Sequence, residues 1–289
     1  MKIRNLMIGA AVAAICATGL SACTADQQPA AMTAEEARTA AVEMMDKAPE
    51  SGGNLGDVEI VSGDIVAEFE IEGYGTLKAK LFPDIAPVGV QNFLELAERG
   101  YYTGKNLHRV ISGFMMQGGS ENGDGTGGDA AYSGEDSTAS TFGIEVSDQA
   151  RHFYGALCYA NAGGQNSTQF YIVNSKSVGD PADYEERITE LEALRAEYEE
   201  GTEGYEYYNY YINAFRQEQE KLRDLPEKYK EQGGTPSLDD SYTVFGQVVD
   251  GFDVIDKIAE VEVAENASGE KSSPVKEILI KSVKVYTAE

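Results

Sequence analysis

From residue 65 the chain alternates between apolar and polar positions. Ile65, Ala67, Phe69 and Ile71 interleave with Val66, Glu68 and Glu70, and Leu77, Ala79 and Leu81 interleave with Lys78 and Lys80. A period of two is that of a strand with one buried face, and Gly73 and Gly75 between the runs suit a hairpin turn. The period then changes. In "APVGVQNFLELAERG", Val90, Phe93, Leu94 and Ala97 share one helical face, Pro87 suits the first turn and Gly100 the stop. From 104 to 178 short apolar runs are split by the glycine-rich turns "ENGDGTGGD" and "NAGGQNS". Strand patterns resume at "TQFYIV", "YTVFGQVV" and "VKEILIKSVKVY". "GFDVIDKIAE" supplies a second helix with Phe252, Ile255, Ile258 and Ala259 on one face. Many short strands and two helices predict a mainly β barrel or sandwich with helical caps.

Residues 180–236 break that pattern. "DYEERITELEALRAEYEE" puts Tyr184, Ile188, Leu191 and Tyr198 on one stripe, and "YYNYYINAFRQEQEKLRDL" puts Tyr208, Tyr211, Phe215, Leu222 and Leu225 on another. "GTEG" separates them and Pro226 ends the second, so the segment is expected to be a helical hairpin between two strands. It holds eight of the 17 tyrosines. They suit either packing between the two helices or a surface for a protein partner, since tyrosine offers rigid amphipathic contact area.

The N-terminus changes the picture of where the protein works. Lys2 and Arg4 precede the apolar run "LMIGAAVAAICATG", which is short for a membrane span and has the form of a signal segment. "LSAC" then ends at Cys23 and resembles a bacterial lipobox. This predicts a signal peptide over 1–22, a lipid on Cys23, and a tether over 23–57. Within the tether, Thr33 and Glu36 fit a capping box for a short helix, with disorder the alternative. The implied location is the extracytoplasmic face of a bacterial cell membrane, held by the lipid. Once Cys16 leaves and Cys23 is acylated, Cys158 stands alone and no internal disulfide forms. In "GALCYA" Cys158 is expected to be a buried thiol.

The 289 residues carry 49 acids against 23 bases, a formal charge of -26. Such a surface repels nucleic-acid phosphates and excludes that class of partner. Two histidines and one spare cysteine leave no basis for a zinc site, and no metal or cofactor is expected. The glycine turns lack the Lys-Ser/Thr pair of a phosphate loop.

One segment is chemically unusual. In "HRVISGFMMQGG", residues 108–119, Arg109 sits among Val110, Ile111, Phe114, Met115 and Met116. It is flanked by "LFPDIAPVGVQNFLELAERGYYTG", "GALCYANAGGQNSTQFYIV" and, after the insert, "SLDDSYTVFGQVVDGFDVIDKI". In this order the four segments resemble the cyclophilin family of peptidyl-prolyl cis-trans isomerases, over about residues 62–178 and 237–287.

The resemblance implies an eight-stranded antiparallel barrel closed by two helices, in two parts, 58–179 and 237–289, around an insert over 180–236. It implies that Arg109 is catalytic and that Phe114 and Met115 line a proline pocket with Leu238. Gln117, Ala160 and Asn161 would hold the substrate backbone. Tyr171 falls where the family usually has phenylalanine, and Tyr242 where eukaryotic members usually have histidine. The chain has no tryptophan, which many members carry before the pocket leucine. Elementary chemistry agrees. Rotation about an X-Pro bond must break amide resonance, a barrier of roughly 18–20 kcal/mol. Once twisted, the prolyl nitrogen accepts a hydrogen bond, and arginine is a donor that never titrates. The expected substrates are proline-containing peptides and unfolded exported proteins. The alternatives are a client-binding module with little turnover, or an envelope interaction platform using the insert.

Overall fold

The first two alternating runs pair as expected. β1 (Ile65–Ile71) and β2 (Gly75–Leu81) form an antiparallel hairpin that sets Phe69 opposite Leu77. Gly73, at φ 76°, turns the chain with a backbone bond from Tyr74 to Ile71. This is a computed structural model, and it describes residues 31–134, 139–223 and 225–289. The signal segment and Cys23 lie outside the described residues.

The hairpin seeds one curled sheet. β3 (Arg109–Ile111), β4 (Met115–Gly118), β5 (Phe142–Gly143), β6 (Ala156–Ala162) and β7 (Gln165–Val173) follow, then β8 (Val244–Asp250) and, after a small hairpin, β11 (Ile280–Thr287). Their order is β11-β1-β2-β8-β6-β7-β4-β3, all antiparallel, with β5 on β7. The result is an eight-stranded half-barrel. β9 (Val263–Glu265) and β10 (Lys271–Pro274) pair separately.

One face of the sheet holds an aromatic core. The ring of Phe93 lies 5.1 to 5.8 Å from those of Tyr102, Phe245 and Phe69, and 6.3 Å from that of Phe170. Phe93 belongs to α2 (Pro87–Glu98), whose apolar face is the one its period predicts, with Pro87 in the first turn. α6 (Phe252–Ala259) buries Val254, Ile255 and Ile258.

Part of the expected tether is docked. α1 (Ala34–Lys47) starts at a complete capping box, in which Thr33 and Glu36 satisfy each other's backbone N–H groups. Ala37 and Ala41 are fully buried, Ala41 within the main core, and the helix rests on α2. Small side chains on that face allow the close approach.

Between β7 and β8 run three helices: α3 (Pro181–Arg195), α4 (Glu203–Arg223) and α5 (Glu227–Gln232). Asp180 caps α3 by accepting from the Ala182 N–H at 2.8 Å. Ile188, Leu191 and Ile212 form their core with Tyr184, Tyr208 and Phe215. The structure differs from the expected stripes at two positions. α3 ends before Tyr198, and Ile212, not Tyr211, is buried; Tyr198 and Tyr211 are exposed. The third helix is too short to show a period. It is held by Tyr229, buried against Phe153 with ring centres 4.4 Å apart. The chain returns through Gly234, where a Cβ would run into the His152 carbonyl.

Candidate active site

The arginine among apolar residues is explained by strand alternation. β3 pairs with β4 so that Arg109 faces Gln117, Val110 faces Met116 and Ile111 faces Met115. Val110 and Met116 enter the main core. Met115 joins a second cluster on the other face of the sheet, with Cys158, Tyr171 and Val173 buried and Ile111, Phe114, Ala160, Leu238 and Tyr242 half-buried around them. The register then continues. Gln117 lies opposite Tyr171 on β7, and Tyr171 opposite Cys158 on β6. One row across four strands thus runs from the cation to the floor of the second cluster.

Each rim residue has its own support. Phe114 follows the turn at Gly113, φ 73°, which its N–H closes on the Ile111 carbonyl at 3.1 Å. Asn174 clamps it there, its side chain accepting from the Phe114 N–H at 2.8 Å and its own N–H donating to the Phe114 carbonyl at 3.1 Å. Leu238 ends a 3-10 turn, Pro236–Leu238, at the exit of the helical segment. The Tyr242 ring stands edge-on to Tyr171 at 6.0 Å. The paired register of β6 with β8 ends at Cys158, so Ala160 and Asn161 lie beyond that ladder, and the β6–β7 register shifts at Ala160. Backbone groups there suit pairing with an extended peptide. The Asn161 side chain donates to the Ser241 carbonyl at 3.0 Å, an exposed bond that ties the strand to the loop carrying Tyr242.

Arg109 is held from behind. Its Nε and Nη2 donate to the two oxygens of Glu270, both at 2.7 Å. Nη1 faces Gln117 Oε1 at 3.4 Å and Met115 Sδ at 3.7 Å, with the Phe114 ring centre 5.9 Å from Cζ. The fork with Glu270 therefore leaves Nη1 as the hand turned toward the socket. The bond from Arg109, with a second from Ser272, holds the Glu270 carboxyl down at about 2. Glu270 in turn raises the arginine. Gln117 is ordered by Gln169 at 3.1 Å, itself donating to the Gly125 carbonyl at 3.0 Å. His108 does not touch the guanidinium. It sits beside Ser120 at 3.4 Å, and burial pushes its imidazole down.

Beneath the socket lies a polar network that sequence reasoning missed. Tyr171 is buried, and its hydroxyl is 3.0 Å from His152 Nε2, whose Nδ1 is 2.8 Å from Asp239. The two ring nitrogens thus bridge the Asp239 carboxyl and the Tyr171 hydroxyl. Tyr229 of α5 donates to the second Asp239 oxygen at 2.7 Å. The tyrosine at 171 is thus accommodated because His152 takes its hydroxyl below the socket floor. Burial pushes the Tyr171 hydroxyl and the Cys158 thiol well up, so both are neutral. Glu270, His152, Asp239 and Tyr229 carried no local signal. In so acidic a chain, one more carboxylate is anonymous until the fold sets it against its partner.

Among the described residues no group of His, Cys, Asp and Glu is arranged to hold a metal ion. No helix among them is long and apolar enough to cross a membrane.

Comparisons with known proteins agree with this geometry. Residues 66–285 match the family model of the cyclophilin type peptidyl-prolyl cis-trans isomerases. A Staphylococcus epidermidis protein named as a peptidyl-prolyl cis-trans isomerase is 36% identical over 212 residues, covering 73% of this chain and 87% of that one. A Staphylococcus aureus protein of the same name is 34% identical over the same length and coverage. Among solved structures, a Cryptosporidium parvum cyclophilin type isomerase superposes with a TM-score of 0.51 at 20% identity, over 78% of this chain and 99% of that one. A second structure of that protein, determined in the presence of the dipeptide Ala-Pro, gives 0.50 at 21% identity, over 77% and 99%.

Proposed function

We propose that this chain, which belongs to the cyclophilin-type peptidyl-prolyl cis-trans isomerases, turns X-Pro bonds of exported polypeptides at the outer face of a bacterial cell membrane, to which a lipid on Cys23 tethers it. The observation that carries the catalytic assignment is the forked Arg109, whose Nη1 is turned toward the apolar socket. The prolyl ring rests on Phe114, Met115, Leu238 and Tyr242 above Tyr171. The edge at Ala160 and Asn161 pairs with the flanking backbone, so that only the part of the peptide beyond the socket rotates. As the amide twists, its nitrogen gains a lone pair, and Arg109 Nη1 donates to it. A donor fixed in place before the reaction stabilises that twisted state without reorganising. No proton is transferred, so no general base is needed. Gln117 keeps the guanidinium plane in register. The Ala-Pro dipeptide used with the Cryptosporidium relative is the chemical class this socket accepts.

Membrane anchoring rests on "LSAC" after a short apolar run. One acyl chain anchors marginally and two or more stably. The test has two arms. Catalysis of isomerisation in a proline tetrapeptide, with retention of a slow-refolding exported protein as a substrate, checks the activity. Mass spectrometry of the native N-terminus checks the lipid. Tight peptide binding without turnover would favour a client-binding module, and an unmodified N-terminus would remove the anchor.

A further inference from the structure

The polar network under the socket reaches its floor and two of its walls. Asp239 follows Leu238, one wall, and both of its carboxyl oxygens are engaged. Oδ1 accepts from the His152 backbone N–H at 3.0 Å and lies 2.8 Å from His152 Nδ1, and Oδ2 accepts from Tyr229 at 2.7 Å. The buried His152 imidazole then meets the socket twice. Its Nε2 lies 3.0 Å from the Tyr171 hydroxyl, and its ring stands edge-on to that of Tyr242 at 6.4 Å.

The backbone beneath His152 is fixed from both sides. Asn54, fully buried, accepts from the Arg151 N–H and donates to the Arg151 carbonyl, both at 2.8 Å. Lys228 of α5 donates to the Asn54 carbonyl at 2.7 Å, and Tyr229 packs on Phe153. The N-terminal segment and the inserted α5 therefore hold residues 151–153 between them, and His152 passes that rigidity to Tyr171. A buried hydroxyl needs a partner. Cys158, opposite Tyr171 on β6, offers a thiol, which is a weak acceptor. Without His152 the hydroxyl gains a strong partner by tilting toward solvent at the socket mouth, and the socket becomes shallower.

We infer that His152 and Asp239 are positioning residues for the isomerase reaction, resting on the isomerase reading for the prolyl occupant and on these hydrogen bonds for the positioning. They fix the depth at which Tyr171 floors the socket, and with it the size of ring the socket accepts. Tyr229 makes the inserted helix α5 a working part of this device.

The experiment measures kcat and KM on a proline tetrapeptide for wild type, His152→Ala, Tyr171→Phe, the double variant and Tyr229→Phe, with thermal melts as the folding control. Fluorescence anisotropy gives Kd for peptides carrying proline, its smaller analogue azetidine-2-carboxylate or its larger analogue pipecolate. His152→Ala is expected to raise KM and Kd for the proline peptide about tenfold with kcat nearly unchanged, the effect of one buried hydroxyl losing its partner. The loss should be graded by ring, largest for pipecolate and smallest for azetidine-2-carboxylate. In the Tyr171→Phe background the same substitution should change Kd by less than about twofold, because no hydroxyl remains to be held. Tyr229→Phe, which keeps the packing on Phe153, should show the graded loss at smaller amplitude. If the alanine variant does not fold, Tyr229→Phe carries the test, with the same suppression by Tyr171→Phe. Anisotropy reads the socket even if no bond is turned over, so failure of the isomerase reading is distinguishable from failure of this one. Additive losses in Kd, a loss equal for the three rings, a loss confined to kcat, or unchanged binding in the folded variants would overturn the positioning role.

Discussion

Replacing Arg109 with alanine should abolish most of the catalysis and little of the fold. The guanidinium offers two functions in separate directions. Nε and Nη2 are spent on Glu270, at 2.7 Å each, while Nη1 points toward Gln117, Met115 and the socket. One preorganised donor to an acceptor that develops only in the transition state contributes about 2.7–4 kcal/mol, so kcat/KM should drop by roughly two to three orders of magnitude. The structural loss is much smaller. The Arg109–Glu270 pair is a partly exposed ion pair, with 28% and 39% of the two side chains accessible, and such pairs contribute about 0–1 kcal/mol. In a domain of this size that is a Tm shift of no more than about 2–4 °C. Arg109→Lys should recover only part of the activity, because one ammonium cannot hold Glu270 bidentately and still present a planar donor. The pH profile discriminates further. Glu270 has its folded pKa depressed to about 2, so its fork is present at neutral pH and is lost only as the pH falls through that value. Arg109 is raised, so it stays charged at any working pH. Activity of wild type should therefore be flat from about pH 6.5 to 9. The assay is peptide isomerisation on both proteins, with thermal melts as the folding control. Equal activity in two equally stable proteins would refute the donor role of Arg109, and a bell-shaped profile would show that a proton does move.

Glu270→Ala should lower kcat about tenfold with KM nearly unchanged, since it releases the donor without touching the socket; a loss confined to KM would show that Glu270 shapes binding instead. Replacing 182–218 with a short glycine-serine linker should leave a folded barrel that turns over short peptides, because Gln219 reaches the Pro181 carbonyl at 2.9 Å and the cut ends are adjacent; loss of the cooperative melt would refute this. Extending that deletion through 234 removes Tyr229 from Phe153 and Asp239 and should destabilise the socket floor, and Tyr229→Ala alone should cost about 3–5 kcal/mol in chemical denaturation. With Cys16 and Cys23 changed to serine, Cys158 should resist a thiol reagent until the protein unfolds, since it is fully buried with its thiol pushed well up; rapid native labelling would contradict the burial.

The elements were legible where one local period governs them. β1, β2, α2 and α6 follow from alternation or helical spacing, although burial goes beyond the expected faces: Val66, Lys80, Asn92, Glu95 and Leu96 are also buried, and α6 buries Val254 and leaves Phe252 exposed. The helical character of 180–236 was legible in the same way. The stripes slipped at Tyr198 and Tyr211 because tyrosine is amphipathic and fits either face of an exposed helix. α5 was missed because six residues are under two turns and show no period. The residues of the socket were named through the order of four motifs, and the register of β3, β4, β6 and β7 brings them together.

Local order along the chain therefore determined the longer strands and helices, that a permanent cation lies within an apolar strand, and that a helical segment is inserted between two strands. Only the tertiary structure decided what that cation is aimed at. Glu270 stands 161 residues from Arg109, and Asp239 stands 87 residues from His152. Neither carboxylate differs in sequence from the other acids of a chain with 49 of them. A hydrogen bond needs its donor and acceptor within about 3 Å and aligned. The β9–β10 hairpin, packed against β3, supplies that distance and angle for Glu270, and with them the difference between a charged residue on a strand and an oriented donor.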